Sequence, residues 1–583
     1  MRQGSLDFAP VCSSLDPERN CECFMLDGIP LAGFDLNLCP HLLATLAESE
    51  ALDTLESEVI KTNLERFLLV LTVSLSVATL PQVFRWVRQI PYTLLLVIVG
   101  AALALVDVRL VNLSPELILT IFLPPLLFEA AWNLKWGDLR RDLFPITLFA
   151  VVGVIISVLG IGLGLWHWAG IPLSLALLIG ASLSATDPVS VIALFRELGV
   201  GERIKTLMEG ESLFNDGVAV VAFGLLVGIP LGIETFDLQV TVLRVFTVVG
   251  IGVGMGALVG FGISYLTQRF DLPLVEQSLT LIAAYGTYLV VEELGGSGVI
   301  GVVTTGLILG NFGSRIGMNP RTRLIVSEFW EFLAFFVNSI VFLLIGDQIQ
   351  YSILGENLIP IGVAIVAMVG SRALSTYGLS SFCNLTVLSA KGLSASEGKG
   401  SQSARVIGWK EQTVLWWGGL RGSVSIALAL SVPESLPGRE AIIATVFGVV
   451  LFTLLVQGLT VKPLLVALDL LGDQPLKQEY MEKVARRAAL QRVLEHLIRI
   501  DGRVAVEADF YQYQKALVEG GIRDLEEEIS TLQSQHPQLK DFAAEQLREE
   551  LLAIEADTYA EYVRSGQLNQ ELAPFLQEVL RQA

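Results

Sequence analysis

The amino-acid sequence predicts an all-α polytopic membrane protein of about thirteen transmembrane helices. It places them in two inverted six-helix repeats with discontinuous crossing helices, followed by a helical cytoplasmic tail. Three observations predict this class. Of 583 residues, 52% are hydrophobic and 17% charged, where soluble domains carry roughly 25% charged residues. Apolar stretches of about 15 to 29 residues recur from Leu64 to Leu468, and a bilayer span needs roughly 20. Lysine and arginine crowd into every second connecting loop, the bias that fixes the orientation of a multi-pass chain.

Taken in order, residues 1–63 read as an acidic extracytoplasmic segment with 11 acidic and 3 basic residues. This segment holds Cys12, Cys21, Cys23 and Cys39; its first 20 residues lack the apolar run of a cleavable signal peptide. Residues 64–468 read as the transmembrane domain. Its first seven spans are predicted at Leu64 to Leu80, Tyr92 to Val108, Leu117 to Trp132, Leu143 to Trp168, Leu173 to Phe195, Leu207 to Ile229 and Val240 to Leu266. The remaining six are Leu274 to Val291, Gly298 to Phe312, Ile325 to Ile349, Leu358 to Phe382, Val414 to Val432 and Ala441 to Leu468. Loops after odd-numbered spans hold sixteen Lys and Arg, among them Arg85, Lys135, Arg196 and Arg321; loops after even-numbered spans hold only Arg109 and Arg439. That asymmetry puts the N-terminus outside and the tail in the cytoplasm. Lys391 to Ser403 reads as a flexible Ser/Gly/Lys-rich linker. Residues 469–583 read as the cytoplasmic helical tail, with 21 acidic and 13 basic residues after Asp469.

Composition excludes several functions. An acidic balance of 59 carboxylates against 39 cations, without a clustered basic surface, excludes nucleic acid as a partner. Five scattered cysteines supply neither a disulfide scaffold nor the two ligand pairs of a structural zinc. No Gly-rich phosphate loop ending in Lys-Ser/Thr is present, so no ATP or other cofactor is expected. The lipid bilayer is the solvent of this chain.

Ionisable groups inside a bilayer are costly, so each one in mid-span is a functional candidate. In the fifth span Ser184-Ala185-Thr186-Asp187-Pro188 follows an apolar run. Proline removes a backbone donor and disfavours helix at the residue before it, which breaks the helix near Asp187 and frees carbonyl oxygens at membrane depth. The sixth span carries Glu209-Gly210-Glu211-Ser212-Leu213-Phe214-Asn215-Asp216. At 100° per residue Ser212 and Asp216 share one face and Glu211 and Asn215 another; one face suits a hard cation and the other a neighbouring helix. Glu209 reads as a helix start wet by the cytoplasm. In the third span Glu129 follows the bend at Pro124-Pro125, either as a functional carboxylate or as a solvated one beside Lys135. Arg372 is deep in the eleventh span and requires a buried carboxylate, for which Glu211 is the choice. Arg421, in the glycine-weakened Gly418-Gly419-Leu420-Arg421-Gly422, reads equally as a core residue or as a side chain snorkelling to the cytoplasm. If the spans divide as six, a linker and six, the broken fifth and interrupted twelfth occupy equivalent places in two inverted halves. That is the sequence pointer to a transporter's midplane ion site.

Four segments together resemble the NhaP/NHE-type sodium/proton exchangers, the monovalent cation:proton antiporter-1 family. They are Phe122-Leu-Pro-Pro-Leu-Leu-Phe-Glu-Ala130, Ala185-Thr-Asp-Pro-Val189, Glu211-Ser-Leu-Phe-Asn-Asp216 and Gly418-Gly-Leu-Arg-Gly422. The resemblance spans Leu64 to Leu468 and implies an NhaA-like fold and a homodimer in the cell membrane. It also implies that Asp216 binds the cation or the proton, that Ser212, Thr186, Asp187 and Glu129 complete the sodium site, and that Glu211 pairs with Arg372. Asn215 and Arg421 have supporting roles. An asparagine at 215, where relatives with two aspartates exchange electrogenically, implies one sodium, or lithium, for one proton.

The mechanism that follows is competition of cation and proton at Asp216, with the gate opening to the other side only when one is bound. A potassium/proton exchanger or a channel of the same fold is an alternative, since ion choice depends on cavity size. A remote alternative is an intramembrane serine hydrolase built on Gly295-Gly296-Ser297-Gly298. That would need a histidine base near Ser297, and His167 is the only histidine near a span. A scaffold without transport is a third.

Overall fold

The computed structural model describes residues 61, 64–80, 83–84, 90–106, 110, 114–232, 237–269, 272–314, 318, 320–391, 406–470, 474–500, 508–565 and 567. The readings of residues 1–60 and of the linker at 392–405 lie outside them. The chain divides into two compact units, Met1–Thr72 and Val73–Ala583. The first is helical at residue 61 and over 64–72; the second opens with helical residues 73–80.

Among the described residues every regular element is a helix. Six helices are long and apolar enough to cross a bilayer, namely Trp136–Trp168, Gln239–Thr267, Pro273–Glu293, Thr322–Asp347, Leu358–Val387 and Arg439–Ala467. Four shorter apolar helices accompany them: Tyr92–Leu105, Leu117–Asn133, Leu173–Ser182 and Gly298–Gly313. Several contain a π-helical turn, at Leu117–Phe122, Phe149–Gly153, Leu309–Gly313 and Thr453–Gln457. The bend at Pro124-Pro125 takes this form: the π turn Leu117–Phe122 runs directly into the α-helix Leu123–Asn133, and the carbonyls that lose a donor to the two prolines lie in that π turn.

Two groups of helices meet around the interior. In one, Tyr92–Leu105 lies along Pro320–Asp347, and Gly298–Ile308 packs on Leu123–Asn133, Leu238–Thr267 and Pro273–Glu293. In the other, Val154–Trp168 packs on Leu173–Ser182 and Leu358–Lys391, and Ser423–Leu430 on Arg439–Phe452. Large apolar side chains face outward, with Leu243 68%, Phe246 72% and Leu258 66% exposed on Leu238–Thr267. Ser375, Thr280, Thr305 and Thr445 are fully buried. This is the pattern of a protein dissolved in lipid, where burial of apolar surface does not drive helix pairing and close approach and hydrogen bonds do.

Close approach explains the glycines. A Cβ on Gly346 would collide with the Val97 carbonyl and lie 2.7 Å from Ala101 N and 2.9 Å from Gly100 Cα. A Cβ on Gly310 would sit 2.7 Å from Trp132 Cα. Two helix pairs are therefore in backbone contact.

Beyond the membrane region, helices Gln474–Ile500, Ala508–Gln535 and Gln538–Arg564 form the tail. A small cluster of Tyr480, Ile529 and Leu539 joins all three. Four of the five cysteines lie outside the described residues; Cys383 is free and buried.

Gly346→Ala is expected to destabilise the protein by about 1–3 kcal/mol, the cost of overpacking a tight contact. Gly362→Ala, at a position with nothing within 4 Å of the new Cβ, should be neutral. Melting temperatures of the two purified variants in detergent check this.

Candidate functional site

The two segments that the sequence marks as discontinuous are both unwound. The first broken helix consists of Leu173–Ser182 and Val189–Leu198, separated by Leu183 to Pro188; unwinding begins four residues earlier than the Asp187-Pro188 step alone requires. The second consists of Trp409–Trp417 and Ser423–Leu430, separated by Gly418 to Gly422. The two breaks touch, with Asp187 N donating to Leu420 O at 2.8 Å.

Unwinding leaves backbone carbonyls without partners at a depth where water cannot serve them, a state tolerated only if protein groups replace the lost bonds. Arg421 replaces them. It is 1% exposed, so it does not snorkel. Its Nη1 donates to Ser184 O at 3.0 Å and Ala185 O at 2.9 Å. Its own backbone N–H is taken by Thr453 Oγ1 at 3.1 Å, in the π turn of the following helix. Gly422 is required at this crossing, because a Cβ there would overlap the Asp187 carboxylate.

The long helix Glu202–Leu226 runs beside the first break and clamps it at Thr186. Asn215 Nδ2 donates to Thr186 Oγ1 at 2.6 Å, Thr186 N donates to Asn215 Oδ1 at 3.2 Å, and Ser212 Oγ donates to Thr186 O. Asp187 Oδ1 accepts from Val189 N at 3.0 Å, which satisfies the first N–H of the second half-helix. On the other face of the long helix Glu211 pairs with Arg372: Nη2 donates to Oε2 at 3.0 Å, Nη1 to Oε1, and Nη2 also to Leu415 O at 3.1 Å. Both residues are buried. The 140° separation of Glu211 and Asp216 on one helix thus divides an ion pair from the cavity.

Asp216 is 9% exposed and lines a cavity of about 310 Å³ between the two helix groups. Among the described residues its Oδ1 meets no hydrogen-bond donor. Glu129, Thr186, Asp187 and Ser212 line the same cavity. Glu129 is half-buried and accepts from Asn133 Nδ2 at 2.6 Å. So the structure brings together five of the sequence-selected residues, places Glu211 and Arg372 behind them, and uses Asn215 and Arg421 to hold the unwound backbone.

Sequence reasoning missed part of the cavity wall. Glu209 is not a helix start, because the helix begins at Glu202; it lies three and seven residues before Ser212 and Asp216, on their face. Arg196 is not in a loop but in the half-helix Val189–Leu198, where it lines the cavity. Glu331 and Asn338, seven apart on Pro320–Asp347, line it from the opposite side. The helical spacing of Glu209 from Asp216 was a usable signal; Glu331 carried none. Ser297, the nucleophile of the hydrolase alternative, is 3% exposed and caps Gly298–Ile308 by accepting from Ile300 N at 3.4 Å.

A helical membrane protein organised around two crossing broken helices and a buried carboxylate has the architecture of a secondary transporter. The particular family follows from comparison with known proteins. The chain belongs to the sodium/hydrogen exchanger family, whose transmembrane-domain model matches residues 71–467, and it is a multi-pass membrane protein. It is 61% identical over 524 residues to the Na(+)/H(+) antiporter ApNhaP of Aphanothece halophytica, covering 90% of this chain and 98% of that one. It is 58% identical over 521 residues to the low-affinity Na(+)/H(+) antiporter NhaS1 of Synechocystis, covering 89% and 97%. Among solved structures, the sodium proton antiporter MjNhaP1 of Methanocaldococcus jannaschii matches with TM-score 0.56 at 20% identity, over 71% of this chain and 99% of that one. This last likeness concerns the fold.

Removing one member of the buried ion pair strands its partner, which costs about 3–5 kcal/mol. Glu211→Ala should therefore lower the melting temperature sharply, and Glu211→Ala combined with Arg372→Met should recover most of the loss. A thermal-shift series on the three proteins tests this.

Proposed function

We propose that this protein is an antiporter that exchanges Na+, with Li+ as a second substrate, for H+ across the cell membrane. It is a transporter and not an enzyme. The observation that carries the reading is Asp216, a buried carboxylate in a cavity wall with one oxygen that no described side chain or backbone group engages. A buried carboxylate needs a neutralising partner. Among the described residues no lysine or arginine is hydrogen-bonded to it, and Arg421 acts on it only through space, so a proton or a small cation completes the site, and one excludes the other. Hard oxygen donors for the cation stand nearby in Ser212, Thr186, Asp187 and Glu129, the set alkali ions prefer. The names of the relatives, sodium/proton antiporters at 61% and 58% identity, point the same way.

The neutral Asn215 next to Asp216 leaves one titrating acid at this place in the helix, which supports an electroneutral exchange of one sodium for one proton. Rocking of the helix group that carries the broken helices against the other would expose the cavity to each side in turn. The reading includes thirteen spans, two inverted repeats and a homodimer. It divides the chain into an extracytoplasmic segment 1–63, a transmembrane domain 64–468 and a cytoplasmic tail 469–583. The loop charges that set this orientation come from the sequence.

The test is a proteoliposome assay of proton flux driven by sodium, lithium or potassium, with membrane voltage free or clamped. Wild type should respond to sodium and lithium equally with and without the clamp, and Asp216→Asn should lose at least about 99% of the flux, as expected when the one exchangeable charge is removed. Undiminished flux in Asp216→Asn overturns the reading, a potassium-only response replaces it with the potassium exchanger, and a voltage-dependent rate overturns the one-for-one count.

A further inference from the structure

Of the residues lining the Asp216 cavity, five are carboxylates, Glu129, Asp187, Glu209, Asp216 and Glu331, and among the described residues a single one, Arg196, is cationic. The half-helix Val189–Leu198 places Ile192, Ala193 and Arg196 on one face at spacings of three and four residues, and that face lines the cavity. Arg196 is tied to little. Its Nη2 stands 3.8 Å from Glu209 Oε1, beyond a tight hydrogen bond, and the two side chains are 59% and 27% exposed. Glu129 and Glu209 both lie within the electrostatic reach of Arg196. Glu209 is seven residues from Asp216 on the same helix face, which sets the pair about 10 Å from the buried carboxylate along the axis.

We propose that Arg196 is a tethered counter-ion that sets the apparent sodium affinity of the exchanger, shared between Glu209, which holds it, and Glu129 on the facing helix Leu123–Asn133. This rests on the exchange reading above. A fixed positive charge in a cavity lined by carboxylates lowers the local concentration of free cations, and its removal raises it. Glu209 acts as the holder. When its charge is lost, Arg196 is released toward Glu129 and opposes sodium more strongly.

The two partners of this pair therefore have opposite effects, which no structural salt bridge would produce. Around Arg196 the charges to account for are Glu202, Lys205 and Glu209 on the long helix, Glu129 on Leu123–Asn133 and Glu331 on Pro320–Asp347. All except the substituted one stay constant in the comparison.

Sodium-dependent proton flux measured in proteoliposomes at one fixed pH, over a range of sodium, gives KM and kcat for wild type, Arg196→Gln, Arg196→Lys and Glu209→Gln. Arg196→Gln should lower KM by about two- to fivefold, the scale of one partly screened charge at this separation. Glu209→Gln should raise it by a similar factor, and Arg196→Lys should stay near wild type. The changes should fall on KM rather than kcat and should shrink when choline chloride raises the ionic strength. Changes of the same sign in Arg196→Gln and Glu209→Gln, or an unchanged KM in both, overturn the proposal. Absence of sodium-driven flux in the wild type, by contrast, overturns the exchange reading itself. A melting temperature for each variant separates loss of fold from loss of charge, and a charge-neutral variant that folds with wild-type KM also counts against it.

Discussion

The structure depends on the problem of unwound backbone inside a membrane. Two helices stop and restart in the buried interior of the helix bundle, and each stop leaves carbonyl and amide groups that lipid cannot satisfy. They are satisfied by each other and by two neighbours. Asp187 N pairs with Leu420 O across the breaks, Arg421 donates to Ser184 O and Ala185 O, and Asn215 and Ser212 hold Thr186 at three atoms. Each of these groups is costly to bury alone, and each is there because another is. The site is thereby fixed as a unit: the same residues that make the breaks tolerable also position Asp187, Ser212 and Asp216.

Buried charge in this protein falls into two kinds. Glu211 and Arg372 are paired through both carboxylate oxygens, with Leu415 O taking a further donor, and such a pair anchors one helix against another. Arg421 gives its hydrogen bonds to backbone carbonyls and acts on Glu211 and Asp216 only through space. Asp216 belongs to the other kind, a charge whose Oδ1 has no donor among the described residues. A protein interior rarely leaves a carboxylate in that condition unless something outside the chain completes it. Glu202–Leu226 thus carries a salt-bridged acid, Glu211, on one face and an incompletely bonded one, Asp216, on the other.

Around this centre the helices are held by close packing and not by the exclusion of water. Glycines 100, 346, 306 and 310 lie where a Cβ would meet a neighbouring helix, and many large apolar side chains are exposed. The polar cavity lies between two tightly packed helix groups, with Glu129 and Glu331 on one side and Asp187 and Asp216 on the other.

The class, the two broken helices and most of the candidate-site residues were legible in the sequence. Apolar run length, a proline after a buried aspartate and a glycine cluster are local signals, and the cost of an unpaired guanidinium made a carboxylate partner for Arg372 necessary. Helical angle alone divided Glu211 from Asp216. Which side chains from distant helices meet was settled by packing. Arg421 was open between core and interface because a residue near a helix end can reach either, and only the approach of the first break, more than 200 residues away in the chain, supplies its carbonyl partners. Arg196 and Glu209 looked like loop and interface residues, since charge near a span's end is ordinarily solvated; the half-helix and the early start of Glu202–Leu226 turn them toward the cavity. Glu331 became a cavity residue only through packing of its helix opposite Asp216. Local sequence sets where a helix breaks, but the electrostatic surroundings of a buried group are set by neighbours in space, and those exist only in the folded chain.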